Sequence, residues 1–270
     1  MSKKVAFIGC GSMAECIMAG ALKAGTLKAE TTYVCNRTAS TVERLKDSYG
    51  VKSGTPVEVT KACDIIILGV KPYGIADMCQ VIKDEVTSDK VVISIAAAIT
   101  IATIEKNLPG SSKVIRVMPN VPSLVGYGMT SISANASTPK EDIDAVLALF
   151  EAVGKAEIVP ESSIHGVIGC SGSSVAYTFM FLEALSDAAV HGGLTRAQAQ
   201  SMAAQAVLGA AKMMQETGKS PAQLKDMVCS PGGTTIEAVR YLEKGGMRSA
   251  VIEAAIQCME KSKTLEKQYN

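Results

Sequence analysis

The first residues that could do chemistry form a glycine pattern near the start of the sequence. Residues 9–14 match G-x-G-x-x-G/A, and they stand between a strand-like apolar run and a helical stretch. In this pattern the first glycine permits a tight turn, the second lets the backbone approach a pyrophosphate, and the small last residue keeps the helix close to the sheet. The pattern predicts a dinucleotide site, with a structural glycine turn as the alternative. The residues assigned to it are Gly9, Cys10, Gly11, Ser12, Met13 and Ala14.

The residues after the second predicted strand bear on which dinucleotide is bound. Where NAD-binding proteins carry an acid for the ribose 2′-hydroxyl, this sequence has Asn36 followed by Arg37. An acid would repel a 2′-phosphate, whereas a guanidinium can accept one. The sequence therefore predicts NADP(H) as the preferred cofactor and NAD(H) as the alternative. On the opposing interpretation Arg37 is only a solvated loop charge.

Three further segments, 69–72, 94–98 and 116–120, stand at the carboxyl ends of predicted strands. Ligands of open α/β sheets bind at such strand ends, so we expect the three segments to line one crevice. The cofactor residues predicted from them are Gly69, Val70, Lys71, Pro72, Ala96, Ala97 and Asn120.

The second half of the chain carries a different glycine turn, Ser-Pro-Gly-Gly-Thr-Thr at residues 230–235. The Ser-Pro pair ends one helix, the glycines let the backbone turn closely, and the threonines open the next helix. This geometry presents unbonded N–H groups that suit a substrate carboxylate. The alternative is a capped turn between two helices.

The elements that must position these residues change in character along the chain. Over residues 1–160, short β-branched runs alternate with helical patterns, which indicates parallel strands covered on both faces. The predicted strands are Lys4–Ile8, Thr32–Cys35, Asp64–Leu68, Val91–Ile95 and Lys113–Val117, with Ala156–Val159 as an edge strand. Over residues 161–270 only helical patterns remain, at 173–191, 195–217, 234–244 and 247–267. The predicted fold class is α/β: an N-terminal Rossmann-type doubly wound sheet, 1–160, followed by an all-α C-terminal domain, 161–270.

Composition limits the partners of the chain. Its 270 residues carry 27 basic and 26 acidic side chains, a net charge of +1, which argues against nucleic acid or an anionic membrane as partner. The first half has no apolar run long enough for a bilayer and no signal-peptide pattern, so a cytoplasmic protein is expected. The eight cysteines form no Cys-x-x-Cys pair and predict no metal site; they are interpreted as buried apolar groups in a reducing compartment. The helix at 201–214 is apolar around most of its circumference, which predicts a second subunit covering it.

Taken together, the segments resemble one known family. Residues 9–14, 70–72, 94–97, 116–120 and above all 230–235 are similar to pyrroline-5-carboxylate reductases, in order and at matching spacing over essentially the whole chain. The resemblance implies NAD(P)H-dependent reduction of 1-pyrroline-5-carboxylate to L-proline, a small-molecule reaction that is the last step of proline synthesis. It also implies an intertwined homodimer through the C-terminal helices, often assembled further into a decamer.

The resemblance implies roles for individual residues as well. It places the substrate carboxylate on the amides around Gly232, Gly233 and Thr234, and the ring nitrogen at the hydroxyl of Thr235, the candidate catalytic residue. Further substrate contacts are expected from Ser230 and from Glu161, for which a plain surface acid is the alternative.

Departures from the family pattern keep two other functions open. They lie at Ser174, Val175, Ala98, Val121, His165 and Met227. A paralogous imine reductase of different ring specificity and a non-catalytic NADP-binding regulator are therefore the alternatives. A β-hydroxyacid dehydrogenase is disfavoured, because those enzymes use a catalytic lysine on the long helix after the sheet and this sequence has no lysine between Lys155 and Lys212.

Overall fold

The first part of the chain is built on an eight-stranded sheet, seen in a computed structural model that describes residues 3–270. The strands are β1 Val5–Ile8, β2 Thr32–Cys35, β3 Lys52–Ser53, β4 Ile65–Leu68, β5 Val91–Ser94, β6 Lys113–Met118, β7 Gly128–Ala134 and β8 Gly154–Ile158. Their order is β3-β2-β1-β4-β5-β6-β7-β8, and neighbours are parallel except for β6 and β7. The order runs one way from β1 to β3 and the other way from β4, which confirms the predicted doubly wound sheet and places its switch point between β1 and β4.

Two of these strands were not predicted. The pair Lys52–Ser53 is too short to show a pattern, and Gly128–Ala134 reads Gly-Met-Thr-Ser-Ile-Ser-Ala, in which small polar residues replace the apolar runs of the other strands. The second of these lies antiparallel to β6 and parallel to β8, so it joins the predicted edge strand to the sheet. Pairing with a neighbour, which a single sequence does not reveal, makes this segment a strand.

The core follows from the alternation of side chains along each strand. In β1, Val5 and Phe7 belong to one buried cluster, whereas Ala6 and Ile8 belong to another on the opposite face. Successive side chains of a strand point to opposite faces, so an unbroken apolar run requires cover on both. The helices around the sheet provide it.

Helices alternate with the strands and then continue alone. In the first part they are α1 Ser12–Lys23, α2 Ala39–Tyr49, α3 Pro56–Ala62, α4 Ile75–Ile82, α5 Ile101–Lys106, α6 Lys140–Glu151 and α7 Ile164–Val167. The later helices are α8 Ser174–His191, α9 Arg196–Thr217, α10 Pro221–Val228, α11 Thr234–Lys244 and α12 Met247–Tyr269. Both α9 and α10 begin with a capping box, Thr195 with Gln198 and Ser220 with Gln223, in which each side chain bonds the other residue's backbone N–H.

Internal contacts divide the chain into two units. The first unit comprises the residues up to Gly172 together with Cys258–Asn270, and the second comprises Ser173–Gln257. The last residues of α12 belong with the sheet because Glu266 binds Arg116 of β6 and Tyr269 packs against the core. The segment 258–270 therefore belongs to the sheet unit, although it lies far from the strands in sequence. The predicted division into 1–160 and 161–270 stays a prediction.

The second unit exposes a large apolar surface. Phe179 and Met180 on α8 are 62% and 69% exposed, and Met202 and Leu208 on α9 are more than half exposed. By length and composition alone, the stretch Glu161–His191 would also suffice to cross a membrane, and 11% of its apolar window is buried. Patches of this kind on a folded protein mark surfaces that another molecule covers.

Candidate active site

A crevice opens at the carboxyl ends of β1, β4 and β5, where the strand order reverses. It encloses about 430 Å³. Of the predicted cofactor residues it brings together Gly11, Ser12, Met13, Ala14, Gly69, Val70, Lys71, Pro72, Ala96 and Ala97. Ile95, Val121 and Leu124 complete its lining. The segments after β1, β4 and β5 thus meet in one place, as their positions at neighbouring strand ends require.

The glycines of the crevice have two different structural tasks. Gly9 has a φ of +84°, and a Cβ there would lie 2.7 Å from the backbone nitrogen of Val70. A Cβ on Gly69 would lie 2.5 Å from the carbonyl oxygen of Gly9. Gly11, in contrast, lines the crevice, and a Cβ added there would meet no atom within 4 Å. Gly9 and Gly69 allow the backbones at the ends of β1 and β4 to make close contact, whereas the backbone of Gly11 faces open space.

That space fits the pyrophosphate of a dinucleotide. Helix α1 begins at Ser12, directly on the crevice, and its N-cap residue is Gly11, which has no side chain to accept from the first N–H groups. A helix start of this kind binds anions through its unbonded amides and the positive end of its dipole. The crevice therefore has both the room and the donors that the pyrophosphate needs.

Cys10, between the two glycines, is a packing residue and not part of the lining. Its side chain is buried, and burial raises the pKa of the Cys10 thiol to about 12, so the group stays protonated. Its carbonyl oxygen accepts a hydrogen bond of 3.0 Å from the side-chain amide of Asn36. Burial likewise raises the pKa of Cys63 and Cys79 to about 12. Burial agrees with the interpretation of these three thiols as packed apolar groups. The same interpretation is wrong for Cys170, whose side chain is exposed.

Asn36 and Arg37 follow β2 as predicted, but they do not line the 430 Å³ crevice. The Asn36 amide holds the glycine loop through Cys10, and the Arg37 side chain is exposed. This bond holds Asn36, and so fixes the backbone that carries the Arg37 side chain. The arrangement leaves the Arg37 guanidinium accessible at the end of β2.

The third predicted lining segment contributes differently from the expectation. Asn120 is buried; its amide donates to the carbonyl oxygen of Ser171 at 3.0 Å and accepts from the N–H of Met129 at 2.8 Å. It thereby shapes the turn that follows β6, and the residues reaching the crevice are Val121 and Leu124. Neither residue was predicted to line the crevice, because the turn at Val121–Val125 offers only an Asn-Val-Pro sequence as a signal.

Glu161 is engaged within the first unit. Its Oε1 accepts from the N–H of Ile101 at 2.8 Å and from Arg116 at 2.9 Å. Arg116 is 2% exposed and also donates to Glu266 at 3.0 Å, so one buried guanidinium is paired with two carboxylates. Contact of Glu161 with the substrate stays a prediction.

The glycine turn of the second unit has the local geometry that its sequence predicts. Helix α10 ends at Val228, Gly232 has a φ of +65°, and a Cβ on Gly233 would lie 2.4 Å from the hydroxyl oxygen of Ser230. Helix α11 begins at Thr234, and its N-cap residue, Gly233, has no side chain to bond its first amides. Thr235 is half-buried in the first turn of this helix. The turn therefore offers backbone N–H donors and a hydroxyl side by side.

A second cavity, of about 740 Å³, lies along α1 and shares Ser12 and Leu124 with the crevice. Its acidic group is Glu15, which Arg44 binds through two hydrogen bonds of 2.7 Å. The hydrogen bonds from Arg44 lower the pKa of Glu15, and Tyr49 adds a third bond. Since this carboxylate is already neutralised, the cavity has no unpaired charge from Glu15 to offer a ligand.

A doubly wound sheet with a crevice and an uncapped helix start at its switch point, joined to an all-helical unit, is typical of dinucleotide-dependent oxidoreductases of the Rossmann type. Comparison with known proteins agrees. Residues 4–98 match the family model described as NADP oxidoreductase coenzyme F420-dependent, and residues 161–265 match the model of pyrroline-5-carboxylate reductase dimerisation.

Full-length relatives narrow the class further. A pyrroline-5-carboxylate reductase from Escherichia coli is 48% identical, with 99% of this chain and 100% of that protein covered. The structure of a pyrroline-5-carboxylate reductase from Coxiella burnetii superposes with a TM-score of 0.93 at 36% identity, covering 98% and 99% of the two chains. A Plasmodium falciparum pyrroline carboxylate reductase with NADP bound has a TM-score of 0.87 at 29% identity, covering 98% of each chain. The chain belongs to the pyrroline-5-carboxylate reductase family.

Proposed function

We propose that this chain reduces 1-pyrroline-5-carboxylate to L-proline with NADPH, the last step of proline synthesis. The observation that carries the proposal is the full-length similarity to a pyrroline-5-carboxylate reductase, with both glycine segments intact. The crevice at the switch point supplies the cofactor site, and the Ser-Pro-Gly-Gly-Thr-Thr turn supplies donors for a small carboxylate.

For this reduction the protein mainly has to bind and orient the cofactor and the imine. When bound, NADPH supplies hydride from C4 of its nicotinamide. The protonated cyclic imine is already an electrophile, so the chain must orient it and needs no strong acid. We assign the carboxylate to the amides around Gly232, Gly233 and Thr234, with Ser230 bracing the turn. The hydroxyl of Thr235 then bonds the ring nitrogen.

The preference for NADPH over NADH rests on the end of β2. Neither Asn36 nor Arg37 is acidic, and the exposed guanidinium of Arg37 suits a 2′-phosphate. The relative from Plasmodium falciparum that binds NADP supports this cofactor. The same crevice accepts NADH more weakly in this proposal, because only the 2′-phosphate contact is lost.

We further propose that the active form is a homodimer through the C-terminal helices, residues 161–270. The exposed apolar faces of α8 and α9 and the dimerisation model over residues 161–265 support this assembly. Light scattering distinguishes the states: a folded monomer of 28.1 kDa at micromolar concentration would rule out an obligate dimer. The decamer that the resemblance implies would appear in the same measurement as ten times that mass.

A cytoplasmic location is part of the proposal. The full-length similarity to a pyrroline-5-carboxylate reductase from Escherichia coli supports it. Small-molecule turnover there requires no membrane or nucleic-acid partner.

The function is tested by following NADPH absorbance with two imines of different ring size. We expect oxidation with 1-pyrroline-5-carboxylate at a kcat/KM well above that with the six-membered piperidine homologue. Preference for the larger ring would identify a paralogous imine reductase. NADPH binding without turnover of either imine would identify a non-catalytic regulator.

A further inference from the structure

The loop that forms one wall of the cofactor crevice contains an unusual backbone conformation. Ala96 and Ala97 line the crevice, and the next residue, Ala98, has a φ of +65°. Over residues 3–270 no other non-glycine residue has a positive φ. A residue with a Cβ adopts this left-handed conformation only when its surroundings hold it there. The wall of the crevice therefore depends on contacts made elsewhere.

One side chain that bonds this loop lies 172 positions away, that of Asn270. Its Nδ2 donates to the carbonyl oxygen of Ala98 at 2.7 Å, and its Oδ1 accepts from the N–H of Thr100 at 2.9 Å. The hydroxyls of Thr100 and Thr103 bond the same Oδ1. One amide thus bonds the backbone on both sides of Ile99, at the carbonyl of the left-handed residue itself and at the N–H two residues further on.

Asn270 is itself held in place by the preceding turn of α12. Its backbone N–H bonds the carbonyl oxygen of Glu266 at 3.2 Å, and the Glu266 carboxylate binds buried Arg116 at 3.0 Å. One turn earlier, Ser262 bonds the His165 ring at 2.9 Å. Through Glu161, Arg116 is also linked to the N–H of Ile101, which begins α5 directly after the loop. The end of α12 is therefore linked to this region in two ways: directly, through the Asn270 amide, and indirectly, through Arg116 and Glu161 to the start of α5.

We propose that Asn270 is a positioning residue for the cofactor site: it holds Ala98 in its left-handed conformation and so fixes Ala96 and Ala97 against the dinucleotide. The proposal rests on the proposed function, because it takes the crevice to be the NADPH site. Asn270 acts through the loop, and the structure shows no place for it in the crevice lining. When a loop must be ordered before a ligand binds, the apparent Kd equals the intrinsic Kd divided by the fraction of molecules in which the loop is ordered.

The test is a titration of the substrate-free enzyme with NADPH, followed by cofactor fluorescence, combined with thermal unfolding. We expect Asn270→Ala to raise the Kd for NADPH about five- to tenfold, with kcat at saturating NADPH little changed. Asn270→Asp keeps the acceptor for Thr100 and loses the donor to Ala98, so an intermediate Kd is expected. Lys263→Ala, which removes an exposed side chain of α12 paired with Glu260, is the matched control and should leave the Kd unchanged.

A second substitution separates positioning from simple stabilisation. Glycine adopts the left-handed conformation without a Cβ penalty, so Ala98→Gly should make the loop depend less on Asn270. In the Ala98→Gly background, Asn270→Ala should change the Kd less than twofold. If Asn270→Ala lowers Tm but leaves the Kd within twofold of the wild-type value, the residue is only a helix cap and the proposal fails. Wild-type enzyme that binds NADPH yet does not reduce the imine would refute the proposed function and leave this test intact.

Discussion

Gly69 and Gly9 lie so close together that a Cβ on Gly69 would be 2.5 Å from the carbonyl oxygen of Gly9. In the same place the N–H of Gly69 donates to the carbonyl oxygen of Ile8 at 2.8 Å. The ends of β1 and β4 are thus in backbone contact at the switch point of the sheet. Gly11 faces the crevice without a neighbour within 4 Å of a Cβ built on it. Packing of the two strand ends requires glycine at position 69, whereas Gly11 has room for a Cβ, so we expect its role to lie in binding a ligand.

This distinction predicts opposite outcomes for two alanine substitutions. Gly69→Ala should lower the free energy of unfolding by about 1–3 kcal/mol, because the clash is with backbone that cannot rotate away. Gly11→Ala should leave the Tm of the cofactor-free enzyme unchanged, yet weaken NADPH about tenfold or more, equivalent to about 1.4 kcal/mol. Thermal unfolding and NADPH titration of both variants measure the two effects. Wild-type affinity in Gly11→Ala would show that the pyrophosphate does not approach this backbone.

Arg37→Ala should weaken NADPH more than NADH. Hydrogen bonds to a charged group contribute about 1.5–3 kcal/mol, so the Kd for NADPH should rise about ten- to hundredfold while that for NADH stays near its starting value. Lys46→Ala on α2, an exposed cation paired with Glu43, controls for a general loss of positive charge. Equal losses for the two cofactors would remove Arg37 from the 2′-phosphate site.

Thr235→Val should lower kcat and leave fold and NADPH affinity intact. The substitution keeps the volume and the β-branch but removes the hydroxyl that we assign to the ring nitrogen. If that bond strengthens as hydride arrives, its loss costs about 1–3 kcal/mol, or about ten- to hundredfold in rate. Activity should not vanish, because the substrate brings its own proton.

Two further variants sharpen the assignment of Thr235. Thr235→Ser retains the hydroxyl and should retain most of kcat. Thr234→Val removes a hydroxyl to which we assign no role and keeps the backbone N–H that we assign to the carboxylate, so it should also retain most of kcat. Steady-state kinetics on 1-pyrroline-5-carboxylate separate the three. Unchanged kinetics in Thr235→Val would make Thr235 a helix-start residue without a catalytic role.

The stability of the sheet unit should depend on pH through Asp142. This carboxyl is buried on α6, where it binds Lys113 at 2.8 Å and also Lys3. Burial alone would raise its pKa, but the hydrogen bonds and charges of Lys113 and Lys3 outweigh that effect and lower the pKa below the ordinary 3.8. Because the folded state has the lower pKa, the stabilisation is complete above pH 3.8 and is lost as the pH falls through the folded value.

Asp142→Asn should therefore lower the free energy of unfolding at pH 7 by about 2–4 kcal/mol, since it leaves Lys113 without its carboxylate. Urea unfolding at pH 7 and pH 3 should show that the variant loses less stability on acidification than the wild type. Asp144→Asn, which removes an exposed partner of Lys140, should change stability by less than about 1 kcal/mol. Equal acid sensitivity in wild type and Asp142→Asn would contradict this account.

Local sequence patterns predicted most of the residues that line the crevice. The glycine pattern after β1 and the segments after β4 and β5 meet in the crevice, because parallel strands in a doubly wound sheet place their carboxyl ends at one edge. The glycine turn before α11 likewise has the predicted left-handed Gly232 and uncapped helix start. Each segment is recognisable from residues next to one another in sequence, and the parallel order of the strands then brings the segments together.

The features that sequence reasoning missed depend on distant pairs. The sequence around Ala98 does not indicate that Asn270 bonds its carbonyl oxygen. The sequence around Arg116 likewise does not indicate that Glu161 and Glu266 pair with it. Strand β7 has few β-branched apolar residues and becomes a strand by pairing with β6 and β8. Such contacts are set by tertiary packing, for which a single sequence carries no periodic signal.

The central claim is reduction of a five-membered cyclic imine, and the isotopic content of the product tests it most directly. The enzyme is incubated with 1-pyrroline-5-carboxylate and with NADPH carrying deuterium at both C4 positions, and the proline formed is analysed by mass spectrometry. We predict L-proline with a single deuterium on the former imine carbon, formed in step with cofactor oxidation. Protein that binds NADPH at micromolar concentration but yields no labelled proline above the enzyme-free control would contradict the account.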